Sequence, residues 1–218
     1  FTDDVLELQG LMPLAKGNVR LVFAYPGRPE MVVKVMRPDP PLKRKEGGDH
    51  WLRGLRRYDP YLVFLREIRE FICGCKANGA PLDFVQKVRG LVETDMGLGL
   101  VSDAALDAQG QLAPTVARLI GEGKFTALVE EAFEDFVTKL LDCDLVLSDL
   151  HERNLVLAVA SDGSESFQLI DGLGSSSFIP FKSWSLGINR RSKKKRIVRL
   201  RGRMERRLEA YRAGSPMP

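Results

Sequence analysis

The feature that most constrains this chain is the run Leu147-Ser148-Asp149-Leu150-His151-Glu152-Arg153-Asn154-Leu155-Val156-Leu157, followed by Leu169-Ile170-Asp171-Gly172. An acid, an amide five residues later and a second acid opening a glycine turn are the set that phosphoryl transfer requires. One group orients a hydroxyl and two hold Mg²⁺ on a triphosphate. Asp149 falls in a loop after the apolar Leu145-Val146-Leu147, where it is free to accept a proton. Asn154, on the far side of that loop, offers a neutral oxygen to a metal. The apolar runs 155–158 and 167–170 are separated by Ser161-Asp162-Gly163-Ser164, a hairpin connection that returns Asp171 beside the loop. Mg²⁺ takes a few oxygens from protein and the rest from phosphate and water, so one Asn and one Asp suffice. The plainer alternative is an ordinary polar loop with His151 satisfied locally; the second acid at a hairpin's remove argues against it.

With 218 residues, the chain has room for one compact domain or two small lobes, and its 44% hydrophobic content is enough to bury a core. It opens on Phe1 and is expected to lack its native N-terminus. No apolar run reaches the length of a membrane span (about 18 residues), and no segment reads as a signal peptide. Cys73, Cys75 and Cys143 form neither an even framework nor a C-x-x-C pair, which favours buried thiols in a reducing cytoplasm. With only His50 and His151 available, a structural zinc site is not expected.

The net charge of +4 conceals an asymmetry. From Lys182 onward there are 13 Lys and Arg against 2 acids, a net of +11, so residues 1–181 carry −7. Within this tail Arg190-Arg191-Ser192-Lys193-Lys194-Lys195-Arg196 precedes Ile197, Leu200, Met204, Leu208 and Tyr211, which recur at helical spacing. The reading is an amphipathic basic helix. Two roles fit it: contact with an anionic partner, a membrane surface or an acidic protein in preference to nucleic acid, or a helix packed on the body with a solvated basic face. The first would make a cytoplasmic protein peripheral to the inner membrane.

At the other end, residues 11–15 and 20–24 read as strands joined by Lys16-Gly17-Asn18-Val19. Tyr25-Pro26-Gly27-Arg28-Pro29 reads as a turn, and Met31-Val32-Val33-Lys34-Val35-Met36 as a β-branched strand. A lysine inside such a strand either reaches a phosphate and is held by a Glu of the next helix, or faces water at a sheet edge. The loop at Gly17 is poor in glycine for a phosphate cover, and Lys16, Asn18 and Arg20 would compensate by charge and hydrogen bonding. Residues 37–58 form a basic insertion rich in Pro and Gly. Asp59-Pro60 then opens a helix to about Lys76, with an apolar stripe at Leu62, Leu65, Ile68 and Ile72. That leaves Glu67 and Glu70 as partners for Lys34, with Glu67 preferred for its position beside Ile68.

Residues 84–93 and 97–104 read as two more strands. Residues 125–141 keep a helical period in Phe125, Leu128, Val129, Ala132, Phe133, Phe136, Val137, Leu140 and Leu141. Five strands with one helix, then helix, loop, hairpin and terminal helix, make an α+β arrangement of two lobes. These are a β-rich nucleotide-binding lobe at 1–104 and a reduced helical lobe at 105–218.

Several segments carry a resemblance. Pro13-Leu14-Ala15-Lys16-Gly17 with Val33-Lys34-Val35, Val92-Glu93-Thr94-Asp95-Met96-Gly97-Leu98-Gly99, Asn154-Leu155-Val156-Leu157 and Ile179-Pro180-Phe181-Lys182-Ser183-Trp184-Ser185 resemble the YrbL family of PhoP regulatory-network proteins. That family is similar to the protein-kinase-like superfamily. The D-L-H-x-x-N form is closer to small-molecule kinases, such as aminoglycoside phosphotransferases and sugar or lipopolysaccharide kinases, than to the H-R-D loop of eukaryotic protein kinases. The resemblance implies a two-lobed kinase-like fold, bacterial origin and a link to a magnesium- and stress-responsive regulon, without supplying a substrate. Asp171-Gly172-Leu173-Gly174 departs from D-F-G, and the chain is short for a full kinase.

Two functions follow as expectations. One is an ATP- and Mg-dependent phosphotransferase acting on an unidentified hydroxyl acceptor: Lys34 and Gly17 hold phosphates, Glu67 positions Lys34, Asp149 orients the hydroxyl, and Asn154 and Asp171 bind metal. The other is a catalytically idle kinase-like module that binds an anionic partner through its basic C-terminal helix.

Overall fold

The computed structural model describes residues 5–39, 61–159, 163–174 and 186–214. The insertion from residue 40 onward, Asp59 and Pro60 at the expected helix start, residues 160–162 at the expected hairpin connection and the motif at 179–185 lie outside them. The chain divides into two compact units, Phe1–Leu65 with Lys87–Ala104, and Arg66–Gln86 with Ala105–Pro218.

The first unit is an antiparallel sheet of β1 (Ala15–Lys16), β2 (Arg20–Tyr25), β3 (Arg28–Met36), β4 (Val88–Thr94) and β5 (Gly97–Asp103), in the order β1-β2-β3-β5-β4. Its central strand is the β-branched run, as expected of residues that pack on a pleated surface. Val33 and Val35 pack with Leu8, Leu21, Phe23 and Val101. Of the expected first strand 11–15 only Ala15 is in β1, together with Lys16 from the expected connection. Pro13 has no N–H to give a ladder, and the Leu11 N–H closes a turn on the Leu8 carbonyl at 3.0 Å. The β2–β3 turn is tighter than expected: Tyr25 pairs with Arg28 across Pro26-Gly27, and Gly27 sits at φ +74°.

Helix α1 (Leu62–Asn78) follows, and the division between units falls inside it. Its buried residues are Phe64, Glu67, Glu70 and Gly74, whereas Leu65 and Ile72 of the expected stripe are 40% and 58% exposed. The apolar periodicity misleads here because the buried face carries two carboxylates and a glycine. Gly74 is there for room: a Cβ on it would stand 3.1 Å from Leu82 and 3.2 Å from Leu145.

The second unit holds α2 (Val116–Gly121), α3 (Ala127–Asp142), the hairpin β6 (Leu155–Val159) and β7 (Glu165–Leu169), and α4 (Leu186–Arg212). Thr115 and Thr126 cap α2 and α3 by accepting the N–H groups of Arg118 and Val129. An aromatic core links α3 to the hairpin, with Phe133 edge-on to Phe167 and Phe136 edge-on to Phe84, both at 6.0 Å between centroids. Ile197, Leu200 and Met204 of α4 complete it.

Residues 66–86, expected with the first lobe, belong to this second unit. Glu70 accepts the Val146 N–H at 2.9 Å, and residues 84–86 pair with β7 rather than extending β4, through Leu169 N–H to Phe84 O at 2.9 Å and Gln86 N–H to Leu169 O at 3.0 Å. Cys75 and Cys143 are half-buried, but Cys73 is exposed; all three are free thiols. Among the described residues no helix is long and apolar enough to cross a membrane. The fold is α+β: a lysine-bearing third strand, a glutamate-bearing helix, and a loop and hairpin in a helical unit follow one another in the expected order.

Candidate active site

The loop that carries Asp149 is fixed from below. Leu145, Val146 and Leu147 are buried, and Leu147 pairs with Leu173 while the Gly174 N–H donates to Val146 O at 2.8 Å. Beyond them the Gly172 carbonyl accepts three donors: Ser148 N–H at 2.8 Å, Asp149 N–H at 3.2 Å and Ser148 Oγ at 3.0 Å. Gly172 sits at φ +87°, and a Cβ there would fall 1.9 Å from the Asp149 carbonyl oxygen and 3.5 Å from Asn154 Nδ2. Only glycine fits, which is why the second acid is followed by one. The Asn154 carbonyl accepts the Ile170 N–H at 2.9 Å, and Asp171 Oδ1 accepts the Gly172 N–H at 2.6 Å.

Asp149, Asn154 and Asp171 are thus brought together around one glycine of the second unit, with Asp149 exposed and the other two half-buried. An amide oxygen on Asn154 and a carboxylate on Asp171 are donors of the kind that suit Mg²⁺, which draws its other ligands from phosphate and water. Among the described residues no group of three or more His, Cys, Asp or Glu is placed to hold a metal, so the pair stands without an all-protein cage.

The first-unit candidates are placed on the sheet. Lys34 is 3% exposed, opposite Val22 on β2 and Leu100 on β5, so the water-facing edge lysine is ruled out. Gly17 lies in the exposed β1–β2 turn, where its N–H donates to Arg20 O at 2.8 Å and its carbonyl accepts Arg37 Nη1 at 3.1 Å. Arg20 is buried and does not join Lys16 and Asn18 at the surface of that turn. On α1, Glu67 is buried, and Glu70 is committed to Val146. Burial pushes the Glu70 carboxyl up, with the Val146 N–H, Arg69 and Lys193 working against it.

The part that sequence reasoning missed is Glu152, 2% exposed within the loop. Arg203 Nε donates to its Oε2 at 2.9 Å and Arg207 Nε to its Oε1 at 3.1 Å, while Arg203 also donates to the Leu150 carbonyl. Burial raises the Glu152 pKa, but its own backbone N–H and the Arg203 guanidinium outweigh that and hold it below the usual value. His151 Nδ1 is 3.1 Å from Glu152 Oε2 and 3.3 Å from the Arg153 N–H. The Arg153 N–H donates to Nδ1, which accepts. Burial lowers the His151 pKa against the pull of Glu152, so the ring is neutral at pH 7.

A second missed group is Lys193, 1% exposed, whose Nζ donates to the Leu140 carbonyl at 2.9 Å and to that of Cys143. The signal for both lay in α4 itself, since Lys193, Arg203 and Arg207 share the helical spacing of Ile197, Leu200 and Met204.

The family model described as PhoP regulatory network protein YrbL matches residues 6–205. The chain belongs to this family. Relatives described as uncharacterized protein YrbL, from Escherichia coli (strain K12) and Shigella flexneri, are each 24% identical over 184 residues, 83% of this chain and 79% of theirs. Among solved structures the chain is similar to a mutant of the Mycobacterium tuberculosis PknI kinase domain, with TM-score 0.42 and 16% identity. That likeness covers 73% of this chain and 57% of the kinase domain. In this YrbL-family chain the matched stretch takes in the sheet, the loop at Asp149 and most of α4, so Glu152 and Arg203 both lie within it.

Proposed function

We propose that this YrbL-family protein is an ATP- and Mg-dependent phosphotransferase. The observation that carries the reading is the convergence of Asp149, Asn154 and Asp171 on Gly172. In this reading Lys34 and the Gly17 turn hold the phosphates and Glu67 positions Lys34. The acceptor hydroxyl lies against Asp149. As its oxygen bonds to the γ-phosphorus, its proton passes to the Asp149 carboxylate, and the bond to the bridging oxygen breaks with its electron pair leaving on ADP. Asn154 and Asp171 would hold Mg²⁺, which would supply neutralisation of the phosphate charge. Neutral His151 and paired Glu152 hold the loop in shape and take no proton.

The test is Asp149→Asn, which keeps size and loop contacts but removes the proton acceptor. Nucleotide affinity should stay within about twofold, and ATP turnover or autophosphorylation should fall about 10²-fold or more. Equal turnover in both proteins would sink the assignment. The protein is further proposed to meet an anionic partner, a membrane surface or acidic protein, through the exposed cations of α4: Arg190, Arg191, Lys194, Lys195 and Arg199.

A further inference from the structure

Along α4, Asn189, Arg196 and Arg203 are seven residues apart, two helical turns, and share one side of the helix. Asn189 Nδ2 donates to the carbonyls of Asp144 at 3.0 Å and Leu145 at 3.1 Å, and Arg203 reaches Leu150 and Glu152. Arg196 therefore lies level with the stretch between, which ends at Asp149. Of its neighbours on the same side, Asn189 spends Nδ2 on the two carbonyls but leaves Oδ1 without a partner, and Arg203 is paired through Nε and Nη2. Arg196 is half-buried, and its Nε is buried with no hydrogen-bond partner among the described residues. An N–H taken from water and given nothing in return costs free energy, more so on a cation. Such a group is kept where a ligand supplies the missing acceptor. Burial lowers the Arg196 pKa; the carboxylate whose field opposes this is Asp149, and Arg199 adds a second positive charge nearby.

Resting on the phosphotransfer reading, we propose that Arg196 binds an anionic group of the acceptor, and that the acceptor is a small hydroxylated phosphate or carboxylate. The buried, unpartnered Nε, level along the helix with the stretch that ends at the acid proposed to orient the hydroxyl, carries this. A guanidinium grips such a group through two parallel N–H donors, Nε and one Nη, which fixes direction as well as charge. With the anion held there, the acceptor hydroxyl is presented to the Asp149 carboxylate, and the transfer balances as written above. A neutral acceptor would leave the Arg196 Nε without a charged acceptor. A cationic one would be repelled.

The experiment is a titration of the full chain with sn-glycerol 3-phosphate and with glycerol, read by calorimetry, beside Mg-ATP as a separate ligand. Wild type is expected to bind the phosphate ester and not the neutral polyol. Arg196→Gln should weaken that binding by about tenfold or more, and Arg196→Lys should fall between, since an ammonium keeps charge but not the fork. A spectroscopic arm uses ¹⁵N-arginine protein: the Nε–H signal lost in Arg196→Gln should shift in wild type on adding inorganic phosphate. Should Arg196→Gln fail to fold, Arg196→Lys, which also lacks the arginine Nε–H, assigns the signal, and it carries the test with the two probes. Normal Mg-ATP binding with both probes bound alike, neither bound, or a silent Nε overturns this inference and leaves the phosphotransfer reading standing. Absent Mg-ATP binding overturns both.

Discussion

Glu70 and Glu152 are both buried glutamates, yet their surroundings push them in opposite directions, and this separates them by pH. Glu152 is held below its usual value, so the stability it contributes is present above the unfolded carboxyl value of about 4.3 and is lost as pH falls through its folded pKa. Glu152→Gln leaves Arg203 and Arg207 facing a neutral amide. It should cost about 3–5 kcal/mol at pH 7, a melting drop of roughly 6–20 °C, with the deficit shrinking as the pH is lowered into the acid range. Glu70 is raised, so its contribution is greatest below the unfolded value and is lost as pH rises through the folded one. Glu70→Gln keeps an oxygen for the Val146 N–H and should leave melting unchanged or higher at pH 7. Thermal melts of both variants from pH 4 to 8 check the pair; parallel profiles would contradict the opposite environments. Asp149, Asn154 and Asp171 were legible because their proposed chemistry dictates residue type and spacing within a few dozen residues. Glu152 was not, because it serves a helix 51 and 55 residues away, and no local pattern encodes that.

At the scale of elements, α4 shows why a basic amphipathic pattern was hard to divide between core and surface. Ile197, Leu200 and Met204 of its apolar stripe are buried, whereas Leu208 is only partly so and Tyr211 is exposed, and the same face takes in Lys193, Arg203 and Arg207, each with a fixed partner. Lys193 reaches the Leu140 carbonyl in the last turn of α3 and the carbonyl of its C-cap Cys143, where unsatisfied acceptors and the helix dipole favour a cation. Lys193→Gln should therefore act on the fold, lowering stability by about 1–3 kcal/mol. Replacing Arg191, Lys194, Lys195 and Arg199 by Gln should spare the melt and flatten the salt dependence of binding to anionic vesicles, by about one logarithmic unit of slope per phosphate no longer neutralised. Vesicle co-sedimentation across a salt series, with melts in parallel, checks this; unchanged binding would move the anionic contact off α4. In α1 the reverse error arose, since Glu67, Glu70 and Gly74 occupy the inner face that periodicity reserves for apolar residues.

For the whole molecule, binding should register as stability. Mg-ATP at about a hundred times its dissociation constant should add about 2.7 kcal/mol, a melting rise of roughly 5–11 °C for a chain of this size. Asp171→Asn, which deletes the charge proposed to hold the metal, should remove most of that rise while leaving the apo melt close to wild type. No rise with ATP, GTP or ADP at millimolar concentration would end the nucleotide reading. The alternation of five strands, helix, loop and hairpin was readable because β-branched runs and glycine turns announce themselves. The regrouping of residues 66–86 was not, since it depends on a carboxylate meeting the Val146 N–H and on residues 84–86 choosing β7 as neighbour. The link from Glu152 to Arg203 and Arg207 also sets an order of events during synthesis. A nascent polypeptide exposes the loop long before those arginines emerge, and until they do the carboxylate cannot be buried without a counter-charge. A clipped product ending short of Arg203 would therefore carry Asp149 on a loop whose buried Glu152 lacks its arginine partners.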